Sequence, residues 1–187
     1  MSLNAVVLCS GFEVEATEAF KAVKRAYPDV TSIGTALHIT LTRPSTVPAH
    51  LQERLHSDLC SLFESSQSFD VYFKDSIDAF ITGSGDIAFG IPVVIDTSSV
   101  LTSLLDKVNM IVSKYGLLPF HKNPNMHVTF AILPANHADE ITSSPEVLGP
   151  KGSQFLPAIL PFKETYCSCE SAEVRVGMTI KTVDFKN

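Results

Sequence analysis

The 187-residue chain lacks any apolar stretch approaching the roughly 20 residues that cross a bilayer. Its apolar start, "NAVVLCSGF" (4–12), lacks the basic flank of a signal peptide, so a soluble, non-secreted protein is expected. Cysteine is scarce: Cys9, Cys60, Cys167 and Cys169 form no C-x-x-C pair, and the one close pair, C-S-C, fits neither a zinc knuckle nor an easy disulfide. Reduced thiols in an intracellular compartment follow. Basic charge is also short, with 14 Lys and Arg against 20 Asp and Glu and a net charge of −6. That excludes a broad basic face coating nucleic acid, though not a pocket that takes one or two nucleotides. There is no low-complexity tract, and with 45% hydrophobic and 18% charged residues a disordered or fibrous chain is excluded. A single globular domain over 1–187 with two lobes is the simplest organisation.

The apolar run 4–12 reads as a strand and "EVEATEAFKAVKRAY" after it as an amphipathic helix, with Ala16, Ala19, Phe20, Val23 and Tyr27 at helical spacing. "ALHITLT" (36–42) alternates, placing Leu37, Ile39 and Leu41 on one face and His38, Thr40 and Thr42 on the other. Pro48 is expected at the first position of a second helix with the stripe Leu51, Leu55, Leu59, Leu62 and Phe63. Strands are expected at "FDVYF" (69–73) and through "DAFITGSGDIAFGIPVVI", with Gly83 to Asp86 as a hairpin connection. A third helix, capped by Thr97 or Ser98, carries Leu101, Leu104, Leu105, Val108, Ile111, Val112 and Tyr115 and ends before Gly116. "MHVTFAIL" (126–133) alternates again, with Met126, Val128, Phe130 and Ile132 inward and His127 and Thr129 opposite. Residues 134–160 read as a long loop or an inserted turn region, and 165–185 as two closing strands.

His-x-Thr therefore occurs twice, each time on a strand, each time with the imidazole and hydroxyl on the polar face. Side chains two apart on a strand lie about 7 Å apart along the backbone. Two such strands on one cleft supply two imidazoles, which titrate near neutrality, and two hydroxyls that bond phosphoryl oxygens. One imidazole accepts a proton while the other donates one, which suffices for phosphodiester cleavage without a metal. In RNA the nucleophile is the neighbouring 2′-hydroxyl and the product a 2′,3′-cyclic phosphate. A single His-x-Thr on a wet strand face is an ordinary surface feature; the repeat with the same parity is what raises it above that reading.

These features resemble the 2H phosphoesterase superfamily, and within it the U6 snRNA phosphodiesterase family, whose second motif is matched by "FHKNPNMHVTF" from Phe120 to Phe130. "AFGIPV" (88–93) and "VRVG" (174–177) fit as well. The resemblance implies an α+β, bilobed fold of two antiparallel β-sheets with helices outside and a central cleft. It implies catalytic His38 and His127, with Thr40 and Thr129 binding substrate where the family usually has serine. His121 falls where the family has a base-stacking tyrosine and would stack on a terminal base. His50, His56 and His137 lie outside the pattern. The activity implied is that of a 3′ to 5′ exoribonuclease trimming the oligouridine or oligoadenosine tail of U6 snRNA in the nucleus, leaving a 2′,3′-cyclic phosphate or, after ring opening, a 3′-phosphate. Its partner would be an RNA 3′ end; no metal, cofactor or membrane is implied, and a monomer is expected. A cyclic phosphodiesterase acting on 2′,3′-cyclic nucleotides or RNA ends keeps the same histidines. A binding module without turnover is the remaining alternative.

Overall fold

The computed structural model describes residues 2–33, 36–74, 76–82, 85–94, 100–120, 126–135 and 166–186. The described residues form ten strands and three helices. Strand β1 (Ser2–Ser10) leads to helix α1 (Glu13–Ala26), followed by short strands β2 (Thr31–Ser32), β3 (His38–Thr40) and β4 (Ser45–Thr46). Helix α2 (Ala49–Glu64) precedes β5 (Phe69–Tyr72), β6 (Asp78–Ile81) and β7 (Ile87–Pro92). Helix α3 (Val100–Lys114), β8 (His127–Leu133), β9 (Tyr166–Val176) and β10 (Thr179–Asp184) complete the order. The hairpin residues Gly83 and Ser84, the cap candidates Thr97 and Ser98, and most of the 134–160 loop lie outside the described residues.

The helices form where the periodicity places them. In α1, Ala16, Ala19, Ala22 and Val23 are buried, and the acidic first turn (Glu13, Glu15) and basic last turn (Lys24, Arg25) complement the helix dipole. Pro48 stands one residue before α2 rather than inside it, with an extended ψ of 139°. Leu55, Leu59 and Phe63 of α2 are completely buried, each stabilising the fold by about 1.5–3 kcal/mol. Helix α3 closes on Gly116, whose φ of +72° is left-handed. There Leu117 N–H reaches the Val112 carbonyl at 3.1 Å and Gly116 N–H the Ser113 carbonyl at 2.9 Å, the paired bonds of a Schellman end.

The strands join in the order β10-β9-β1-β3-β8-β7-β6, with β2 on β8, β4 on β1 and β5 on β9. Every ladder between these strands is antiparallel. The two expected sheets are thus continuous, because β3 and β8 meet at Ile39 and Val128. One face of the sheet carries Leu3, Ala5, Val7, Ile39, Val128 and Ala172, all buried in the core with the helices. The expectation for the far end of β8 needs correcting: Ala131 is buried and Ile132 only half-buried. The register to β7 shifts between Phe89 and Gly90, where one extra residue of β8 interrupts the alternation.

All four cysteines are buried, at 6%, 5%, 1% and 0% exposure for Cys9, Cys60, Cys167 and Cys169. A thiol reagent such as DTNB is therefore expected to leave the native protein unmodified over minutes and to titrate all four after denaturation; rapid native reaction would contradict this packing.

Candidate active site

Strands β3 and β8 lie in the middle of the sheet, and their pairing sets the site. Ile39 and Val128 are register partners, both fully buried beneath the helices. Continuing that antiparallel register by one residue each way sets His38 across from Thr129 and Thr40 across from His127. All four side chains are half-buried on the face opposite the core. An antiparallel pair has a local two-fold axis, here passing between Ile39 and Val128, and it interchanges the two His-x-Thr tripeptides. Directly opposed residues have Cβ atoms about 5 Å apart and diagonal ones about 7–8 Å, so the two imidazoles flank a gap on the scale of a phosphoryl group.

The symmetry of the motif is not carried into its surroundings. His38 Nδ1 lies 2.9 Å from the Ala36 carbonyl oxygen. A carbonyl only accepts, so Nδ1 carries the proton, and in the neutral ring Nε2 is left with its lone pair. His127 has a different setting. Pro92 is its register partner on β7 and Gly90 the partner of Thr129. A Cβ placed on Gly90 would lie 2.8 Å from His127 Cδ2 and 3.3 Å from His127 Cβ, so the imidazole leans over the β7 backbone into the space a side chain would fill. Gly90 is not among the described glycines with positive φ, so it is space rather than backbone conformation that calls for glycine here.

On β6, Asp78 is the register partner of Gly90 and faces the same side as Thr129 and His127. Partial burial pushes its carboxyl above the usual carboxylate range, while the charges of Lys74 and His127 pull it back. Two rows thus cross the open face: Leu8, His38, Thr129, Gly90 and Asp78 in one, and Val6, Thr40, His127 and Pro92 in the other.

Of the expected site residues, His38, Thr40, His127 and Thr129 come together, and His121 lies outside the described residues. Thr42, expected on the polar face with His38 and Thr40, is 2% exposed and accepts a hydrogen bond from Ala5 N–H at 2.9 Å. Strand β3 ends at Thr40, and the chain beyond it turns the Thr42 hydroxyl inward to satisfy a buried amide. His56 sits on α2 with Nε2 and Nδ1 both 3.8 Å from Cys60 Sγ, away from this face. Among the described residues, the group able to hold a metal is Cys9, Cys167 and Cys169, with sulfurs within 4.8 Å of one another, and it lies in the core rather than beside the histidines.

Asp78 and Gly90 escaped the sequence reading. Each left a faint local trace: aspartate is depleted in strands, and a glycine between bulky apolar residues in a strand marks close approach of another group.

A family model described as HVSL, an uncharacterised conserved protein, matches residues 7–184. The chain belongs to the HVSL family. No curated protein matches it significantly in sequence. Among solved structures, the HVSL chain is similar to Usb1 of Kluyveromyces marxianus with uridine monophosphate, at 15% identity over 98% of each chain and a TM-score of 0.63. TT0787 of Thermus thermophilus is 14% identical over 100% of this chain and 96% of its own, with a TM-score of 0.60. LigT of E. coli complexed with 3′-AMP is 13% identical over 100% of this chain and 97% of its own, with a TM-score of 0.54. The HVSL chain thus has the α+β 2H phosphoesterase fold that the resemblance implied.

Proposed function

We propose that the protein is an RNA phosphodiesterase in which His38 and His127 act as base and acid. The observation that carries this reading is the β3–β8 register, which sets each imidazole across from the other motif's hydroxyl on one open face. With Nδ1 held by the Ala36 carbonyl, His38 offers Nε2 to take the proton of a 2′-hydroxyl. That oxygen attacks the adjacent phosphorus, and the P–O5′ bond breaks. His127 protonates the departing 5′-oxygen, while the Thr40 and Thr129 hydroxyls hydrogen-bond the phosphoryl oxygens. The products are a 2′,3′-cyclic phosphate end and a free 5′-hydroxyl.

As substrate we favour the 3′ oligouridine or oligoadenosine tail of U6 snRNA, trimmed from the 3′ end, with the nucleus as the location. Its support is the match of Phe120 to Phe130 to that family's second motif and the likeness in fold to Usb1. The net charge of −6 favours a second reading, hydrolysis of small 2′,3′-cyclic nucleotides or RNA-end cyclic phosphates.

Because two imidazoles supply both proton transfers, cleavage is expected to persist in EDTA. The test is a 5′-labelled RNA ending in several uridines, incubated with EDTA beside the same RNA made 2′-deoxy at its penultimate nucleotide. Stepwise shortening of the first alone supports attack by the 2′-hydroxyl. Loss in EDTA with recovery on adding a divalent ion would overturn the metal-free mechanism, and untouched RNA with turnover of cyclic nucleotides would favour the second reading.

A further inference from the structure

The Gly90 side-chain position is occupied by the His127 imidazole, and this changes who the neighbours of Asp78 are. In an antiparallel ladder, Asp78 on β6 would meet the side chain of its β7 partner. That partner is Gly90, which has none, and the His127 ring lies within 2.8 Å of where its Cβ would be. The group that reaches over from β8 into that space is the His127 imidazole, and its charge acts on the Asp78 carboxyl. From this geometry we infer that Asp78 is a positioning residue that orients His127 over Gly90 and keeps its imidazole protonated.

Other described residues also face His127. Its own strand and β3 contribute Thr129, Thr40 and His38; β7 contributes Gly90 and Pro92, neither of which titrates. Lys74, whose N–H bonds the Pro92 carbonyl at 2.8 Å, is exposed, and its charge acts on Asp78. Asp78 is thus the acidic group the described residues place against His127. The attraction works in both directions: the imidazolium lowers the carboxyl's proton affinity, and the carboxylate raises the imidazole's. Partial burial of Asp78 strengthens the coupling by keeping water from screening it. His38, held by a neutral carbonyl, has no such partner on its Nδ1. The two motifs, equivalent by the two-fold, are made unequal by a residue of a third strand.

The role rests on the acid–base reading of the histidine pair, and the test separates the two. His127 and His38 are followed by NMR through a pH titration in the wild type, Asp78→Asn and Lys74→Met. Asn keeps the shape and removes the charge, so the His127 midpoint is expected to fall by about one pH unit. Lys74→Met, at an exposed position, removes a competitor for Asp78 and is expected to move the His127 midpoint upward. His38 should move in neither. Equal movement of both histidines, or none in His127, would overturn the inference whatever the protein cleaves.

In the rate profile, His127 acts while protonated and His38 while neutral. Asp78→Asn is therefore expected to shift the descending, alkaline limb of kcat/KM to lower pH by about one unit and to leave the ascending limb in place. Asp78→Glu should restore part of the alkaline limb. A uridine 3′-(4-nitrophenyl phosphate), whose leaving group needs little protonation, should be cleaved by Asp78→Asn nearly as fast as by wild type. An equal loss on this ester and on RNA would point to a purely structural role. If His127→Ala cleaves RNA normally, it is the acid–base reading that fails, and the NMR titration still decides the pairing.

Discussion

Alanine at His38 or at His127 is expected to slow RNA cleavage by about 10²–10⁴-fold, the range that a positioned proton-transfer group contributes. The double variant should fall little further than the worse single one, because acid and base act in one transition state and their losses do not add. The fold should survive. Both rings are half-buried on the open face, while the residues between and behind them, Ile39 and Val128, are completely buried and untouched. Single-turnover rates with the labelled RNA measure the loss, and thermal melting checks that the variants fold. The two losses differ in their chemistry. Without His127 the penalty should shrink on the nitrophenyl ester, since the departing oxygen no longer needs a proton. Without His38 it should remain on both substrates, since the 2′-hydroxyl must still be deprotonated. A rate within about threefold of wild type for either variant would remove that histidine from the mechanism.

The second large effect is expected from a single methyl group. Gly90→Ala would place its Cβ 2.8 Å from His127 Cδ2 and 3.1 Å from the Val128 carbonyl oxygen. The first contact is far inside van der Waals distance, and the second is to backbone that belongs to the β8 ladder and has little room to give. The imidazole, hinged at its χ angles, yields more readily than two paired strands do. Turning it away from Gly90 also separates it from Asp78, the neighbour that holds its proton. A displacement of about 1 Å at a reacting group costs on the order of 10²-fold in rate. Overpacking of this kind destabilises by about 1–3 kcal/mol. The expected signature is therefore a large fall in kcat with KM little changed and a Tm lowered by several degrees. Gly90→Ala with wild-type kcat would show that the ring does not need the space above β7.

The sequence made one half of this site legible and hid the other for the same physical reason. Alternation along a strand is local: Ile39 and Val128 inward, His38, Thr40, His127 and Thr129 outward, each follows from side chains pointing to opposite faces at successive positions. The helical stripes of α1, α2 and α3 follow from 3.6-residue periodicity in the same way, and the Gly116 stop from the conformational freedom of glycine. Where local order broke, so did the reading. Thr42 continues the alternation on paper, but the ladder stops at Thr40 and a buried amide on β1 recruits its hydroxyl. Ile132 continues it too, but the register shift opposite Gly90 turns Ala131 inward instead.

By itself, then, the sequence determined that two strands would each present an imidazole and a hydroxyl on a wet face, and that three helices would each carry an apolar stripe. Tertiary structure alone decided that those strands are neighbours, since pairing between residues so distant in the chain depends on the register of the whole sheet. The same register brought Gly90 and Asp78, which share no motif with either histidine, to the side of His127 and not of His38. Spacing along a chain reports which side chains share a face of one strand; only the assembled sheet reports which strand lies next to it.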